Sequence, residues 1–171
     1  MGELVKPAGN GNIQFRSMRL TDIDDVCRIE REAFSTPWSE AAFHNELVNN
    51  HFAHYLIMEC DGLVIGYGGM WLIMEEAHVT NIAVHTPYRG RKLGEQLLKM
   101  LMATAASLGA GKMTLEVRVT NFVAQRLYHK LGFHSSGVRP GYYSDNNEDA
   151  LIMWADLDRE EFAEGWEETG Q

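Results

Sequence analysis

The stretch that most constrains the fold is residues 79–98, VTNIAVHTPYRGRKLGEQLL. It opens with a short apolar, β-branched run, VTNIAV, and a Thr86-Pro87 corner follows, where Pro87 disfavours a helical backbone at the residue before it. Further on, apolar side chains recur at helical spacing, at Leu93, Leu97, Leu98 and Leu101. The stretch therefore predicts a strand, a loop and a helix in immediate succession.

The loop between this strand and this helix, RGRKLG, combines glycines with cationic side chains. Backbone N–H groups at the start of a helix have no intrahelical partner, and the helix dipole favours an anion there. Gly90 and Gly94 let a ligand approach the backbone, while Arg89, Arg91 and Lys92 add positive charge. The loop is a candidate pyrophosphate site, although a turn of this kind is more often an ordinary solvated loop. It is not a P-loop, and no GxGxxG motif is present.

Length and composition indicate one globular domain, since the chain has 171 residues, 45% of them hydrophobic and 23% charged. The formal charge of −9 argues against a general nucleic-acid binder and suits a positively charged partner such as a basic peptide. No apolar run is long enough to span a membrane, and the first residues lack the apolar segment of a signal peptide. Cys27 and Cys60 lie far apart without metal-binding spacing, which favours buried thiols and a cytoplasmic protein.

The N-terminal third predicts a loose tail, a strand and two helices. Residues 1–12 are rich in glycine, proline and asparagine, which is typical of a flexible tail. Apolar and polar side chains alternate over residues 13–19, as in a half-buried strand. Thr21 is the expected N-cap of the first helix and Ser39 that of the second.

From residue 52 the pattern becomes that of strands. Two apolar runs are joined by Asp61-Gly62, a pair typical of a tight hairpin turn. Gly66, Gly68 and Gly69 inside the second run indicate a bulge or a place where another group approaches the backbone, and a merely bent strand is the alternative.

The remainder predicts a long helix, a strand, a short helix and two closing strands. Gly109 should end the long helix, and residues 112–119 alternate as a strand. Asn121 is the expected N-cap of the short helix and Gly132 its C′ residue. Residues 158–171 form an acidic tail without a predicted element. The order β-α-α-β-β-β-α-β-α-β-β is that of an α+β fold with helices covering a central mixed sheet.

Several tracts taken in order resemble the Gcn5-related N-acetyltransferase (GNAT) superfamily: IAV with RGRKLG, then LEVRVTN, then VAQRLYHKLGF. TPWSEAAF, TNIAV and the closing GYYSDNNEDALIMW are most similar to the RimI-type ribosomal-protein alanine N-acetyltransferases of bacteria. The resemblance covers residues 13–157, which would form the acetyltransferase domain. It implies a central mixed, mostly antiparallel sheet that is splayed at the acetyl-CoA site, with helices on both faces.

The resemblance also implies which residues bind acetyl-CoA. The pantetheine arm would pair with the strand backbone at Ile82, Ala83 and Val84. The phosphate loop would comprise Arg89, Gly90, Arg91, Lys92, Leu93, Gly94 and Glu95, and Asn121 would contact the cofactor arm. The chain departs from the family's pattern Q/R-x-x-G-x-G/A at Lys92, where a glycine is usual. A backbone N–H survives this change, but a left-handed turn is harder to form there.

By position in the resemblance, Glu116 would be the general base and Tyr128 the general acid of acetyl transfer to an amine. The residue pattern allows both roles, because Glu116 lies on the polar face of a predicted strand and Tyr128 on the helix that follows it. The ordinary alternatives are a solvated glutamate and a core tyrosine. A backbone N–H at residues 82–84 would donate to the thioester oxygen. No histidine or cysteine spacing indicates a metal.

The type of amine can be argued from acidity. A free α-amine titrates near ~8 and a lysine near ~10.4, so the α-amine has the larger neutral fraction at neutral pH by a factor of several hundred. This favours an N-terminal acceptor, although lysine acetyltransferases share the fold. In the resemblance, Trp38, Glu40, Tyr142, Tyr143 and the acidic run 145–149 lie where the acceptor peptide binds. Plain strand residues and a solvated turn are the alternative for the last three.

The activity that the resemblance implies is transfer of the acetyl group of acetyl-CoA to the N-terminal alanine of small-subunit ribosomal protein number eighteen. The alternatives are a lysine or small-molecule amine as acceptor, and a non-catalytic CoA-binding regulatory module. Neither a nucleic acid nor a membrane is an expected partner, and the oligomeric state stays open.

Overall fold

The computed structural model describes residues 11–158, which form one seven-stranded sheet of order β1-β2-β3-β4-β5-β7-β6 with four α-helices. The strands are β1 Ile13–Ser17, β2 Ala53–Cys60, β3 Leu63–Ile73, β4 Glu76–Val84, β5 Lys112–Arg118, β6 His134–Arg139 and β7 Ala150–Asp156. The helices are α1 Ile23–Ala33, α2 Glu40–Asn49, α3 Leu93–Ser107 and α4 Phe122–Lys130. The predicted element order and the α+β class are therefore confirmed.

The sheet is mixed at a single place among the described strands. Neighbouring strands are antiparallel except β4 and β5, which run parallel. These two pair only from Glu76 opposite Lys112 to His78 opposite Thr114, and no later residue of β4 pairs with β5. The sheet therefore opens into a V between the second half of β4 and the second half of β5.

A bulge in β4 decides which face each residue of that strand presents. Val79 pairs with Met70 and Asn81 pairs with Gly69, so Thr80 is an extra residue without a counterpart on β3. An extra residue shifts the alternation of side chains by one position. Val79 consequently packs in the core with α3, whereas Ala83 packs in the core with α1 and α2.

The glycines of β3 serve both predicted purposes. The bulged residue Thr80 of β4 lies opposite the Gly69–Met70 step of β3, and side chains approach the β3 backbone beside it. A Cβ atom at Gly68 would lie 2.6 Å from Leu101 of α3, and one at Gly69 would overlap the Tyr55 ring. The glycines thus let a helix and an aromatic ring pack directly on the strand, one on each face.

Each face of the sheet carries two helices over its own core. Helices α1 and α2 cover a cluster that includes the fully buried Phe43 and Tyr67, and α3 covers a cluster that includes Leu101 and Phe133. Cys27 and Cys60 are both buried, and neither forms a disulfide within the described residues. None of the helices within residues 11–158 is both long and apolar enough to cross a membrane.

Most predicted helix and turn boundaries hold. Ser39 and Asn121 cap α2 and α4 by accepting the N–H groups of Ala42 and Ala124. Gly109 and Gly132 follow the ends of α3 and α4 with positive φ. The hairpin turn at Asp61-Gly62 is also present, with positive φ at both residues.

The N-cap predicted at Thr21 is wrong, because Asp22 occupies the N-cap position and α1 begins at Ile23. The Asp22 carboxylate accepts the Arg19 N–H at 2.7 Å and both terminal nitrogens of Arg16, which draws residues 20–22 into a 3₁₀ turn. Thr21 lies inside this turn, and Asp22 occupies the cap position. The predicted tails at 1–12 and 158–171 lie almost wholly outside the described residues.

Candidate active site

The opening between β4 and β5 leads into two adjoining cavities. The larger encloses about 660 Å³ and lies between β5, the α1–α2 loop and the β6–β7 loop. The smaller encloses about 270 Å³ and lies between β4, α3 and α4. Ala33, Phe34, Ile82 and Tyr128 line both cavities, so these four side chains mark the junction.

The smaller cavity fits the apolar arm of a thioester cofactor. The predicted residues Ile82, Ala83 and Val84 line it together with Leu98 and Leu127. The backbone of β4 has no strand partner on this edge, because its pairing with β5 ends at His78. Such an edge offers N–H and C=O groups to an extended amide-containing chain.

The loop before α3 has the conformation that the family pattern requires despite Lys92. Gly90 and Lys92 adopt φ of +79° and +60°, so Lys92 takes the left-handed backbone that a glycine would take more cheaply. The N–H groups of the first helical turn, which begins at Leu93, have no intrahelical partner. A diphosphate placed there would face those N–H groups and the exposed Lys92 side chain.

Two residues of the predicted phosphate loop have side chains that point elsewhere. Leu93 is buried in the core beside Leu97. Glu95 binds Lys130 of α4 at 2.8 Å and approaches Lys99 at 3.8 Å, and the hydrogen bond from Lys130 lowers the pKa of Glu95. Their contribution to a phosphate site therefore comes from the backbone, and the Glu95–Lys130 pair ties α3 to α4.

The strand-to-loop junction is anchored to α1 by Glu32, a residue that sequence reasoning missed. Its carboxylate accepts hydrogen bonds from His85 Nδ1 at 2.9 Å and from the Thr86 N–H at 3.1 Å. Arg89 donates to the Val84 carbonyl at 3.0 Å, which bends the loop back over the end of β4. These bonds hold the loop against α1 and the end of β4.

Glu116 lies on β5 with a side chain that is only 7% exposed and that lines the larger cavity. Its Oε2 atom is 2.7 Å from His78 Nε2, and its Oε1 atom is 3.6 Å from Arg139 Nε. Sequence reasoning missed His78, because this contact joins residues 38 positions apart through the short parallel pairing of β4 and β5. The carboxylate is therefore oriented and partly charge-compensated, which distinguishes it from a solvated glutamate.

Tyr128, on α4, lines both cavities. Its hydroxyl makes no hydrogen bond within residues 11–158, and its ring packs against Phe133 with centroids 5.9 Å apart. Burial raises the pKa of the Tyr128 hydroxyl above its ordinary value, so the phenol keeps its proton at neutral pH. Asn121, at the start of the same helix, also lines the larger cavity.

The predicted acceptor residues divide into two groups. Trp38, Tyr142 and Tyr143 line the larger cavity, and burial raises the pKa of Tyr143 to about 12. Glu40 does not join them: it lies at the start of α2 and lines a separate groove with His44.

The acidic run at residues 145–149 is largely occupied by bonds within the chain. Arg118 binds Asp145 at 2.8 Å and Glu148 at 3.2 Å, and its guanidinium stacks 4.0 Å from the centre of the Tyr143 ring. Asp145 also accepts the Ser35 hydroxyl at 2.6 Å, which lowers the Asp145 pKa. This bond joins the β6–β7 loop to the α1–α2 loop and forms a roof over the cavity.

Residues 11–158 contain no group of three or more His, Cys, Asp or Glu side chains arranged to hold a metal ion. The site instead combines an open strand edge, a helix-start loop, an oriented carboxylate and a protonated phenol. This arrangement is suited to moving an acyl group from a thioester to an amine, and it defines an acyltransferase.

Comparison with known proteins supplies the family. Residues 23–133 match the acetyltransferase (GNAT) family. The chain belongs to this family of acetyltransferases.

Individual relatives have names that mention a substrate. A Bacillus subtilis (strain 168) protein, named provisionally as a [ribosomal protein bS18]-alanine N-acetyltransferase, is 47% identical over 83% of this chain and 94% of its own length. The [ribosomal protein bS18]-alanine N-acetyltransferase of Escherichia coli (strain K12) is 34% identical over 80% of this chain and 93% of its own. The crystal structure of the ribosomal-protein-S18-alanine N-acetyltransferase from Escherichia coli superimposes with a TM-score of 0.79 at 30% identity, covering 86% of this chain and 95% of that one.

Proposed function

We propose that this protein acetylates the α-amine of the N-terminal alanine of ribosomal protein bS18, with acetyl-CoA as the donor. The observation that carries the proposal is that Glu116 and Tyr128 face one cavity at the point where the sheet opens. The names of the Bacillus subtilis and Escherichia coli relatives support the choice of acceptor.

The residues around the smaller cavity fit acetyl-CoA. Its apolar walls and the unpaired edge of β4 suit the pantetheine arm, and the start of α3 suits the diphosphate. Ile82, Ala83 and Val84 would hold the arm, the loop from Arg89 to Glu95 would hold the phosphates, and Asn121 would contact the arm. When bound, acetyl-CoA would supply the acetyl group as an activated thioester.

Glu116 and Tyr128 then divide the proton transfers between them. Glu116 takes a proton from the acceptor nitrogen, directly or through a water, as that nitrogen forms its bond to the acetyl carbon. A backbone N–H of β4 donates to the acetyl oxygen while charge develops on it. Tyr128 delivers its hydroxyl proton to the departing sulfur, and the burial that raises its pKa keeps that proton available.

An acetyl-CoA turnover assay with two peptides tests the proposal. One peptide carries the free N-terminus of bS18 from the same organism, and the other has that N-terminus blocked and contains one internal lysine. Activity on the first peptide alone is expected. Activity on the second alone would contradict the proposal and indicate a lysine acceptor.

Two variants show whether the turnover comes from this cavity. Glu116→Gln should lower kcat by about 10²-fold or more, the typical range of base catalysis, and leave acetyl-CoA affinity unchanged. Glu46→Gln is the matched control, because Glu46 is a buried carboxylate on α2 that binds Trp71 and Asn50 and does not line the cavity. This control should retain wild-type turnover, and an equal loss in both variants would contradict the assignment of Glu116.

A further inference from the structure

A second open space lies on the sheet next to the candidate active site. It encloses about 650 Å³ over β5 and β7, beside the turn that joins β3 to β4, and no residue of helices α1–α4 lines it. We call it the hairpin groove, because the β3–β4 hairpin supplies much of its lining: Trp71, Ile73, Met74, Glu75, Glu76 and His78. This part of the sheet surface is therefore accessible within residues 11–158.

Apolar side chains in the hairpin groove are exposed to solvent. Met74 is 92% exposed and Ile73 is 48% exposed, and Trp154 of β7 is only partly buried. Met74 also adopts a φ of +57° in the turn, a left-handed conformation that a glycine would adopt at lower cost. Neither the exposure nor the backbone of Met74 stabilises the fold. Exposed apolar side chains that are rimmed by polar residues are typical of interaction sites.

The hairpin groove carries an excess of negative charge. Glu75 and Glu76 are exposed, and their carboxylates form no ion pair within residues 11–158. Arg139 is the one arginine or lysine that lines the groove, and its guanidinium lies 3.6 Å from the third lining carboxylate, Glu116. Two carboxylates at the hairpin turn are thus available to cations from outside the described chain.

The hairpin groove and the larger cavity adjoin at Glu116, which lines both. Glu76 of β4 pairs with Lys112 of β5, four residues before Glu116. Four residues of a strand span roughly 13 Å, at ~3.3 Å each. An extended peptide whose N-terminal amine lies at Glu116 therefore reaches the hairpin turn with about its fifth residue.

We propose that the hairpin groove binds a downstream segment of the acceptor polypeptide, one that carries both cationic and apolar side chains. The inference rests on the proposed function and deepens it. Cations of the segment pair with Glu75 and Glu76, and its apolar side chains pack on Ile73, Met74 and Trp154.

Such a segment would give the enzyme its choice of protein. An N-terminal alanine does not by itself identify one acceptor, so contacts with later residues are what distinguish it from others. Binding energy from the hairpin groove would also hold the amine beside Glu116. The groove residues Met74, Glu75 and Glu76 are thus acceptor-binding residues rather than acid–base catalysts.

The test compares two synthetic peptides that share the first four residues of bS18 and differ in the next six. In one peptide these six alternate arginine with leucine, and in the other they alternate glycine with serine. The wild-type protein should show a kcat/KM about fivefold or more higher for the arginine–leucine peptide, through KM, since each exposed ion pair contributes up to several-fold. Glu75→Gln/Glu76→Gln should reduce this preference to about twofold and leave kcat/KM for the glycine–serine peptide unchanged.

Two further variants separate docking from other effects. Asp24→Lys changes the net charge by as much as the double variant does, but Asp24 is an exposed residue of α1 that lines a separate groove with His44. This control should keep the wild-type preference. Met74→Gly removes the apolar side chain at the turn and should lower the preference about two- to threefold. Its Tm should stay unchanged or rise, because glycine adopts a positive φ without strain.

Four results would overturn the inference. The first is equal kcat/KM for the two peptides in the wild-type protein, and the second is a full preference in the double variant. The third is an equal loss in Asp24→Lys, which would indicate long-range charge alone. The fourth is a wild-type dimer that dissociates in Met74→Gly while the peptide preference is unchanged, which would assign the groove to a second copy of the chain. All four leave N-terminal acetylation intact, whereas a wild-type protein that acetylates neither peptide would contradict the proposed function itself.

Discussion

At the scale of single residues, His78 is the least expected member of the site. It contacts Glu116 at 2.7 Å, its ring packs edge-on against Trp71, and its side chain is 35% exposed towards the hairpin groove, on the side of Glu116 away from the larger cavity. Glu116 lines both that groove and the larger cavity. His78 therefore orients the carboxylate and connects it to solvent without lining the larger cavity.

His78→Ala should lower kcat about tenfold, the lower end of the ~1.5–3 kcal/mol of one hydrogen bond to a charged group, with KM for acetyl-CoA unchanged. The loss should be smaller than in Glu116→Gln, because the base itself remains. Steady-state kinetics on the bS18 peptide measures both values. His44→Ala, at an exposed position on α2, is the control, and a His78 variant as active as that control would refute the orienting role.

Tyr128 permits a prediction about pH. A general acid works only while protonated, and burial raises the Tyr128 pKa above the ~10 of an ordinary tyrosine. Activity that depends on this phenol is therefore fully present below that value and is lost only above it. A profile of kcat against pH should show no fall attributable to Tyr128 up to about pH 10. A fall below that pH which disappears in Tyr128→Phe would contradict the assignment.

At the scale of elements, the loop before α3 shows how a helix start tolerates an unfavourable residue. Lys92 adopts a φ of +60°, a conformation that costs a non-glycine residue roughly 1–2 kcal/mol. The family pattern has glycine at this position. Lys92 is therefore less stabilising than a glycine would be, but it places an ammonium group beside the proposed phosphate site. Comparing two substitutions at this position separates the two effects.

Lys92→Gly and Lys92→Ala should both weaken acetyl-CoA binding about two- to fivefold, the ~0.5–1 kcal/mol of an exposed ion pair, and leave pantetheine binding unchanged. Lys92→Gly should unfold at a higher temperature than Lys92→Ala, because only glycine removes the backbone strain. Calorimetry gives both quantities. Lys99→Ala, at an exposed position of α3, is the control. Equal losses for acetyl-CoA and pantetheine would exclude a phosphate contact.

The turns and helix caps of this fold are largely predictable from the sequence. The hairpin turn at Asp61-Gly62, the helix caps at Ser39 and Asn121 and the helix end at Gly132 depend on local chemistry. The residues at these positions are therefore enough to predict them. The Thr21 cap failed because Asp22 is held by Arg16, on a different element. A local sequence pattern carries no information about such contacts between different elements.

At the scale of the whole molecule, the site depends on contacts that no local pattern encodes. Glu116 and Tyr128 were predicted through resemblance, but the contacts of His78 and Glu32 become visible only once β4 lies beside both β5 and α1. Glu40 illustrates the reverse case, since it is close in sequence to Trp38 yet faces a separate groove. Residues 82–84 do line the smaller cavity as expected, whereas Glu40 lies outside the larger one.

The V between β4 and β5 divides the sheet into two parts, which the described structure joins through three residue pairs and the packing of α3 and α4. A ligand that enters the V would pair with the free edge of β4 and take the place of a missing strand. Backbone amides at that edge should therefore exchange with solvent about tenfold more slowly when acetyl-CoA binds. The segment to follow by hydrogen-exchange mass spectrometry is residues 79–85.

Residues 53–60 of β2 are the control, because β1 and β3 already pair with both edges of that strand and no change is expected. Protection of β2 equal to that of β4 would indicate general tightening of the fold, and protection absent from β4 would exclude the V as the binding site.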